Sequence, residues 1–346
     1  MPPDSGCWMT MQILAVTNMY PTPANPALGT FIEQQVESLR TVGLDVDVLI
    51  LERAIQGRRV YLYLTERLSQ KTHTVRYDLV HIMYCGIMAE FATKAVQNIP
   101  TVVTIHGSDL FGNQLARPVE RLSAYLGIVA SRRAARRADG VITVSSRLRD
   151  ALPKDIDRSK VRVIPCGIDL QRFRPQDPAQ CRKVLGWHSN ALHILFATNG
   201  NPIKRPLLAS KAVEVLQQLG TRAEMHEMRG IPYDQVPIWI NASDALVLTS
   251  QHEGSPTILK ECLACNVPVV SVDVGDVREL IAGVEGCSIA TADPADLAAG
   301  LHAACSTGRR INGRSRIERL SLKRTADQIH EFYREILDTK APVAFA

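Results

Sequence analysis

The sequence predicts an α/β protein made of two Rossmann-like domains facing each other across a cleft. Three observations predict it. Short β-rich runs alternate with amphipathic helical stretches along the chain. That rhythm breaks once, at the proline-rich, polar stretch PCGIDLQRFRPQDP (165–178), and then starts again. The length, 346 residues, suits two domains of about 100–200 residues each.

The first series opens with QILAVTN (12–18). A helix is expected from Thr30 to Val42, where FIEQQVESL places Phe31, Val36 and Leu39 at helical spacing. DVDVLIL (45–51), a helix near 58–70, DLVHIMY (78–84), a helix over 86–97 and TVVTIHG (101–107) follow. Next come a basic helix over 117–137, GVITVS (140–145), a short helix and KVRVIP (160–165). The second series runs HILFAT (193–198), a helix to Leu219, RAEMHEM (222–228), a helix near 233–242 and DALVLTS (244–250). It continues with a helix from Ser255, VPVVSVDV (267–274), a helix near 277–283 and CSIATA (287–292), then terminal helices over 294–306 and 315–338. Repeated β-α units of this kind build parallel sheets covered by helices on both faces. The expected division is 1–165, 166–325 and a last helical segment, 326–346, packing back on the first domain.

Composition excludes several classes. With 46% hydrophobic and 22% charged residues the chain reads as globular. No apolar run approaches the roughly 18 residues of a membrane span. The N-terminus MPPDSGCWMTMQ has an acidic residue and no apolar h-region, so a cytoplasmic location is expected. The eight cysteines are scattered, and Cys262 and Cys265 form one CxxC without a second pair, so no metal site is expected there. A net charge of +5 does not call for nucleic acid. Its distribution is uneven: Arg117, Arg121, Arg132, Arg133, Arg136 and Arg137 lie among apolar residues. The segment reads first as a solvated face whose apolar residues serve the core, and second as a peripheral contact for anionic lipid.

Ligands of open parallel sheets bind beyond the carboxyl ends of the strands. After the first strand there is no GxGxxG, so the nicotinamide and flavin fingerprint is absent. Gly29 instead stands at a helix start, where backbone amides can meet a phosphate or sugar. His106, Gly107, Ser108 and Asp109 follow TVVTI, placing a histidine donor toward the cleft. Asn199, Lys204 and Arg205 follow HILFAT, and a lysine there can neutralise a diphosphate. Arg229 and Gly230 open a loop that can face a nucleobase.

The stretch SQHEGSPTILKECLA carries the most specific pattern. Pro256 suits a first helical turn, where its missing N–H costs nothing. The amides of Ser255, Thr257 and Ile258 lack helical partners and, with the helix dipole, make an anion site. Glu253 precedes the helix and Glu261 lies within it, so the two carboxylates are read as contacts to different hydroxyls of one elongated ligand.

The run HEGSPTILKECLACNVPVVSVDVGDVREL resembles the donor-site signature of the retaining glycosyltransferases of family four. Cys262 stands where the family usually has alanine. GTFIEQQVESL, HGSD, VIPCGID and NPIKRP fit the same family, and the resemblance covers about 12 to 335. It implies a GT-B fold, an N-terminal acceptor domain and a C-terminal donor domain. It implies a nucleoside-diphosphate sugar as co-substrate, with no cofactor and no metal, and a glycan or lipid-linked acceptor of the bacterial envelope or exopolysaccharide. By resemblance, Glu253 holds the donor sugar, Glu261 the ribose, Lys204 the leaving diphosphate and His106 the sugar from the other domain. Gly29 closes on the phosphate, and Asp109, Asn199, Arg205, Arg229, Gly230, Gly254, Ser255, Pro256, Thr257 and Ile258 complete the donor site. The family often has an arginine where this chain has Asn199. A nucleotide-sugar epimerase and a non-catalytic glycan-binding scaffold are the alternatives. Asp45-Val46-Asp47 is a DxD, but it opens a strand and is read as chance.

Overall fold

The structure is a computed structural model that describes residues 10–340 except 24, 26–27, 53–56, 112–117, 189 and 307. Six strands form the first sheet: β1 (Gln12–Thr17), β2 (Asp45–Ile50), β3 (Leu79–Ile82), β4 (Thr101–Ile105), β5 (Gly140–Thr143) and β6 (Val161–Val163). They lie in the order β2-β1-β3-β4-β5-β6, all parallel. The second sheet has β7 (Leu192–Ala197), β8 (Ala223–Met228), β9 (Ala245–Leu248), β10 (Val269–Val272) and β11 (Ser288–Ala290). Its order is β11-β10-β9-β7-β8, again parallel. In both sheets the first strand pairs with the second on one side and the third on the other. That reversal leaves a crevice at the strand ends where such folds bind ligands. Both domains therefore present their ligand-binding edges.

Period-two alternation sorts the first sheet's core onto two faces. Leu14, Val16, Ile82 and Val103 belong to one cluster, and Ile13, Ala15, Leu79 and Val102 to the other. The second face is covered by the helix Thr30–Thr41, through Ile32, Val36 and Leu39, and by the last described helix, Leu322–Lys340. That helix buries Ile329, Phe332, Tyr333 and Ile336 among residues of the first domain. Each such side chain contributes about 1.5–3 kcal/mol of burial. The Tyr333 hydroxyl meets His81 Nδ1 at 2.6 Å, and His81 Nε2 meets Thr104 Oγ1 at 2.7 Å, so the buried polar chain is closed. A Cβ at position 140 would sit 2.4 Å from Ile336, which explains the glycine opening β5.

The structure departs from the expected elements in four places. The second terminal helix is not continuous over 315–338: Arg314–Ile317 and a 3-10 turn Glu318–Leu320 precede Leu322–Lys340. The break exists because the chain pauses to pair with the inter-domain segment. Ile168 N–H donates to the Leu320 carbonyl, and Leu322 N–H donates to the Ile168 carbonyl. A helix Pro178–Leu185 follows the linker, started by Asp177, whose carboxylate accepts from the Ala179 amide, and by proline in the first turn. The stretch near 58–70 divides into a 3-10 turn, Gly57–Tyr61, and a helix, Leu64–Thr74. The basic helix runs Pro118–Arg137, and Arg117 lies outside the described residues. Its apolar residues do not all serve the core: Leu122, Tyr125 and Leu126 are 59%, 61% and 51% exposed.

Candidate functional site

The crevices of the two sheets meet in one cleft. A cavity of about 400 Å³ is lined by Thr30 and Phe31 from the first domain and by Asn199, Lys204, Glu253 and Glu261 from the second, among others. A second cavity of about 290 Å³ shares His106, Asn199, Lys204, Glu253 and Gly254 with it and extends toward Ser108 and Asn201.

β9 is fully buried and delivers the chain into the loop Thr249–Pro256 at its carboxyl end. The helix that follows runs Thr257–Ala264, with Pro256 as its cap rather than within its first turn. Its leading amides lack intrahelical partners and Ser255, Pro256, Thr257 and Ile258 all line the larger cavity. Ser255 is fixed from behind: its hydroxyl donates to buried Asp276 at 2.5 Å.

Lys204 ends a short 3-10 turn started by Asn201, whose side chain accepts from the Ile203 amide. Its ammonium meets Glu253 Oε1 at 2.5 Å, with both side chains mostly buried. The anticipated sugar carboxylate and diphosphate cation are thus paired to each other in the cleft wall. A ligand with hydroxyls on one side and an anion on the other would part them and take each charge.

Glu261 is buried, and burial raises its carboxyl to about 7; the Lys260 charge and a hydrogen bond with Tyr233 oppose that rise. The Tyr233 ring is held by Arg172, whose guanidinium lies 4.9 Å from its centroid, and by an edge contact with Phe173. Glu253 and Glu261 line one cavity without bonding to each other among the described contacts.

Three residues take positions other than those expected. His106 does not aim a donor into the cleft. Its Nε2–H donates to the Met83 carbonyl at 3.0 Å, and its ring stacks on Tyr84 and meets Phe31 edge-on. Burial lowers its pKa to about 4, so the ring is neutral near pH 7 and forms a cleft wall. Asp109 is turned inward: its carboxylate accepts from the His106 and Gly107 amides and shapes their turn instead of facing a ligand. Arg205 does not replace the missing arginine. Its guanidinium donates to the Thr249 and Ser250 carbonyls and holds the end of β9.

Asn199 lines both cavities, and its side-chain Oδ1 accepts from the Asn201 amide. Arg229 is exposed and lies against the Gly200 backbone of the same loop, where a Cβ would be 2.8 Å from Nη2. It is thus a cation next to the residue that follows Asn199. Gly230, at φ 65, has open space around it. Gly29 caps the helix Thr30–Thr41 at φ 69, and a Cβ there would lie 2.3 Å from the Met19 carbonyl carbon. The helix start it permits faces the cleft through Thr30 and Phe31.

Gly254 and Gly107 mark where the domains touch. A Cβ on Gly254 would stand 1.7 Å from the His106 carbonyl oxygen, and one on Gly107 would stand 2.9 Å from the Gly254 nitrogen.

Sequence reasoning missed Lys260. It is fully buried, and its ammonium donates to the Cys166 carbonyl of the inter-domain segment at 3.0 Å. Tyr233 and Asp276 were missed too. A lysine inside the apolar run TILKECLA was the available signal, since lysine is almost never fully buried without a partner.

Two parallel-sheet domains share a cleft lined by a helix start and two carboxylates, the architecture of GT-B glycosyltransferases. Residues 28–172 match the family model Glycosyltransferase Family 4, and 182–306 match Glycosyl transferases group 1. The chain belongs to these group 1, GT-B glycosyltransferases. It is 27% identical over 331 residues to TuaC of Bacillus subtilis (strain 168), named as a glycosyltransferase of teichuronic acid biosynthesis, covering 78% of this chain and 83% of that protein. It is 28% identical over 266 residues to a D-inositol 3-phosphate glycosyltransferase of Streptomyces avermitilis, covering 63% of this chain and 56% of that one. Among solved structures, sucrose-phosphate synthase from Thermosynechococcus elongatus superposes with a TM-score of 0.77 at 18% identity, covering 95% of this chain and 100% of that one. The Anabaena protein Alr3699/HepE, solved in complex with UDP, superposes at 0.68 and 17% identity, covering 94% and 100%.

Proposed function

We propose that this glycosyltransferase moves a sugar from a nucleoside diphosphate to an acceptor hydroxyl with retention at the anomeric carbon. The observation that carries the reading is the Lys204–Glu253 pair in the same cavity as Glu261 and the Thr257–Ala264 helix start. Diphosphate sits at the helix amides and Lys204, sugar hydroxyls at Glu253 and ribose hydroxyls at Glu261. The UDP complex of the similar Anabaena structure supports a nucleotide in this crevice. Arg229, against the Gly200 backbone, supplies the cation that the family usually carries nearer the lysine.

The acceptor oxygen attacks the anomeric carbon on the face the diphosphate leaves. The carbon–oxygen bond to phosphate breaks with its electron pair, and the departing oxygen takes the acceptor proton. Lys204 and the helix amides stabilise the charge that develops there, the term that usually dominates such catalysis. No metal is needed for that charge. The DxD carboxylates are occupied elsewhere: Asp47 binds Lys71 and Tyr77, and Asp45 accepts from Gln12.

The acceptor belongs to a bacterial envelope glycan, a reading supported by the similarity to TuaC. No helix among the described residues is long and apolar enough to cross a membrane. A cytoplasmic enzyme meeting a lipid-linked acceptor needs peripheral contact, and exposed Leu122, Tyr125 and Leu126 beside exposed Arg132 and Arg133 support one.

The test is incubation with UDP-, GDP- and ADP-sugars, with and without glycan acceptors, after chelator treatment. Diphosphate release that depends on acceptor, with an α-linked product from an α-linked donor, is expected. Glu253→Ala should lower turnover about 10²–10³-fold while circular dichroism stays unchanged. Full activity in that variant sinks the assigned role, isomerised donor points to an epimerase, and binding without turnover points to a scaffold.

A further inference from the structure

The second domain carries a group of chemistry-bearing residues that the cleft does not use. His193 is the second residue of β7, while Glu224 and His226 are the second and fourth of β8. The register pairs His193 with Glu224 and Leu195 with His226. Aligned residues of parallel strands share a face, and so do residues two apart. All three side chains therefore project from one face, toward the amino-terminal half of the sheet and away from the ligand crevice. One ligand atom from each lies within 4.8 Å of the other two.

The hydrogen bonds orient this group. His193 Nε2–H donates to the His188 carbonyl at 2.7 Å, which fixes the tautomer and leaves a lone pair on Nδ1. That lone pair faces His226 Nε2 at 2.8 Å. A ring nitrogen tied to a backbone carbonyl while the other faces a ligand position is the usual support of a metal-binding histidine. Glu224 Oε2 approaches His226 Nε2 at 4.0 Å. Trp187 stacks on His226 with centroids 3.5 Å apart and stands edge-on to Trp239, so one side of the group is closed to water.

We propose that His193 Nδ1, His226 Nε2 and Glu224 form a site for a divalent transition ion of the zinc type. Two imidazoles and a carboxylate, with a fourth position open to water, suit a tetrahedral zinc centre. Zinc bonds of about 2.0–2.1 Å put adjacent ligand nitrogens about 3.3 Å apart, a small opening of the existing pair. The proton now shared between the rings passes to His226 Nδ1, so both ligand nitrogens are bare and no proton is lost. Alkaline-earth ions, which take oxygen ligands, are excluded by the donor set. The ion would staple β8, the edge strand, to β7. The site is remote from sugar transfer, and its existence does not rest on that activity.

The test uses the full chain after chelator treatment, titrated with Zn²⁺ against a chromophoric chelator and separately with Co²⁺. One equivalent of Zn²⁺, visible absorption of four-coordinate Co²⁺ and quenching of Trp187 emission are expected. His226→Gln should weaken Zn²⁺ about 100-fold and Glu224→Gln about 10-fold or more. Trp187→Phe should keep the binding and lose the quenching. Glu224 is partly exposed at the sheet edge, so its variant stays folded even where His226→Gln does not. Failure of the wild type to take up stoichiometric Zn²⁺, or equal uptake by Glu224→Gln, overturns the proposal.

Discussion

At the residue scale, Glu261 is the group whose charge state the protein adjusts most usefully. Burial lifts its carboxyl from 4.5 to about 7. A carboxylate accepts hydroxyl hydrogens at both oxygens only when ionised. Nucleotide affinity should therefore rise as pH passes upward through about 7, and Glu261→Gln should flatten the profile; calorimetry with a nucleoside diphosphate measures both. The same shift costs stability in the empty protein. The folded state holds a proton that the unfolded chain has released, so stability falls as pH rises from about 4.5 to 7. Melting curves should show that decline in the wild type and less of it in Glu261→Gln. Lys260 is the counterweight, since its charge lowers the Glu261 carboxyl. Lys260→Met should move the binding midpoint above 7. It also leaves the Cys166 carbonyl unpaired, a loss of about 1–3 kcal/mol partly offset by removal of a buried charge.

At the element scale, much of the site was legible because helix starts and strand ends carry positional chemistry. Pro256, the glycine before Ser255 and the carboxylates eight positions apart marked the Thr257–Ala264 helix and the helix start that lines the cavity. Side-chain direction was not legible. His106, Asp109 and Arg205 stand where strand-end reasoning put them, yet each turns to backbone: His106 to the Met83 carbonyl, Arg205 to the Thr249 carbonyl, and Asp109 to the neighbouring His106 and Gly107 amides. The first two partners follow from tertiary contact rather than local pattern. Leu122, Tyr125 and Leu126 show the same limit, because periodicity reports an apolar stripe and not what covers it. Gly254 was read as part of the donor site, yet it also makes room for the His106 carbonyl. Gly254→Ala should force the two domains apart at that point and lower kcat/KM at least 10²-fold, since small misplacements cost that much. Nearly unchanged melting would show that closure rather than folding is lost; wild-type kinetics would overturn the assignment.

At the scale of the whole molecule, the tandem α/β plan was readable from alternation alone, and the linker from its prolines. The chain's return to the first domain through its last helical segment was expected too, but not the place where that helix begins. The pattern announced a second terminal helix continuous over 315–338; the break shows locally only in Ser321, whose hydroxyl caps the new helix start by accepting from the Arg324 amide where the chain bridges Ile168. Tyr333→Phe tests the return at its polar anchor. It leaves His81 Nδ1 without its 2.6 Å partner and should cost about 1–3 kcal/mol, read by denaturant unfolding, while nucleotide affinity at the second domain stays unchanged.

The helix Leu322–Lys340 completes a core whose strands end at Val163. On the ribosome the two are separated by the whole second domain. At about 5–20 residues per second, the nascent first sheet waits on the order of ten to thirty seconds with one apolar face bare. The first domain is thus finished last, and the protein's exposure to aggregation during synthesis is set by its order of translation. A chaperone that shields that face until Phe332 and Tyr333 arrive would raise the yield of folded chain. Moving this helix to the front of the gene by circular permutation would remove the need for it.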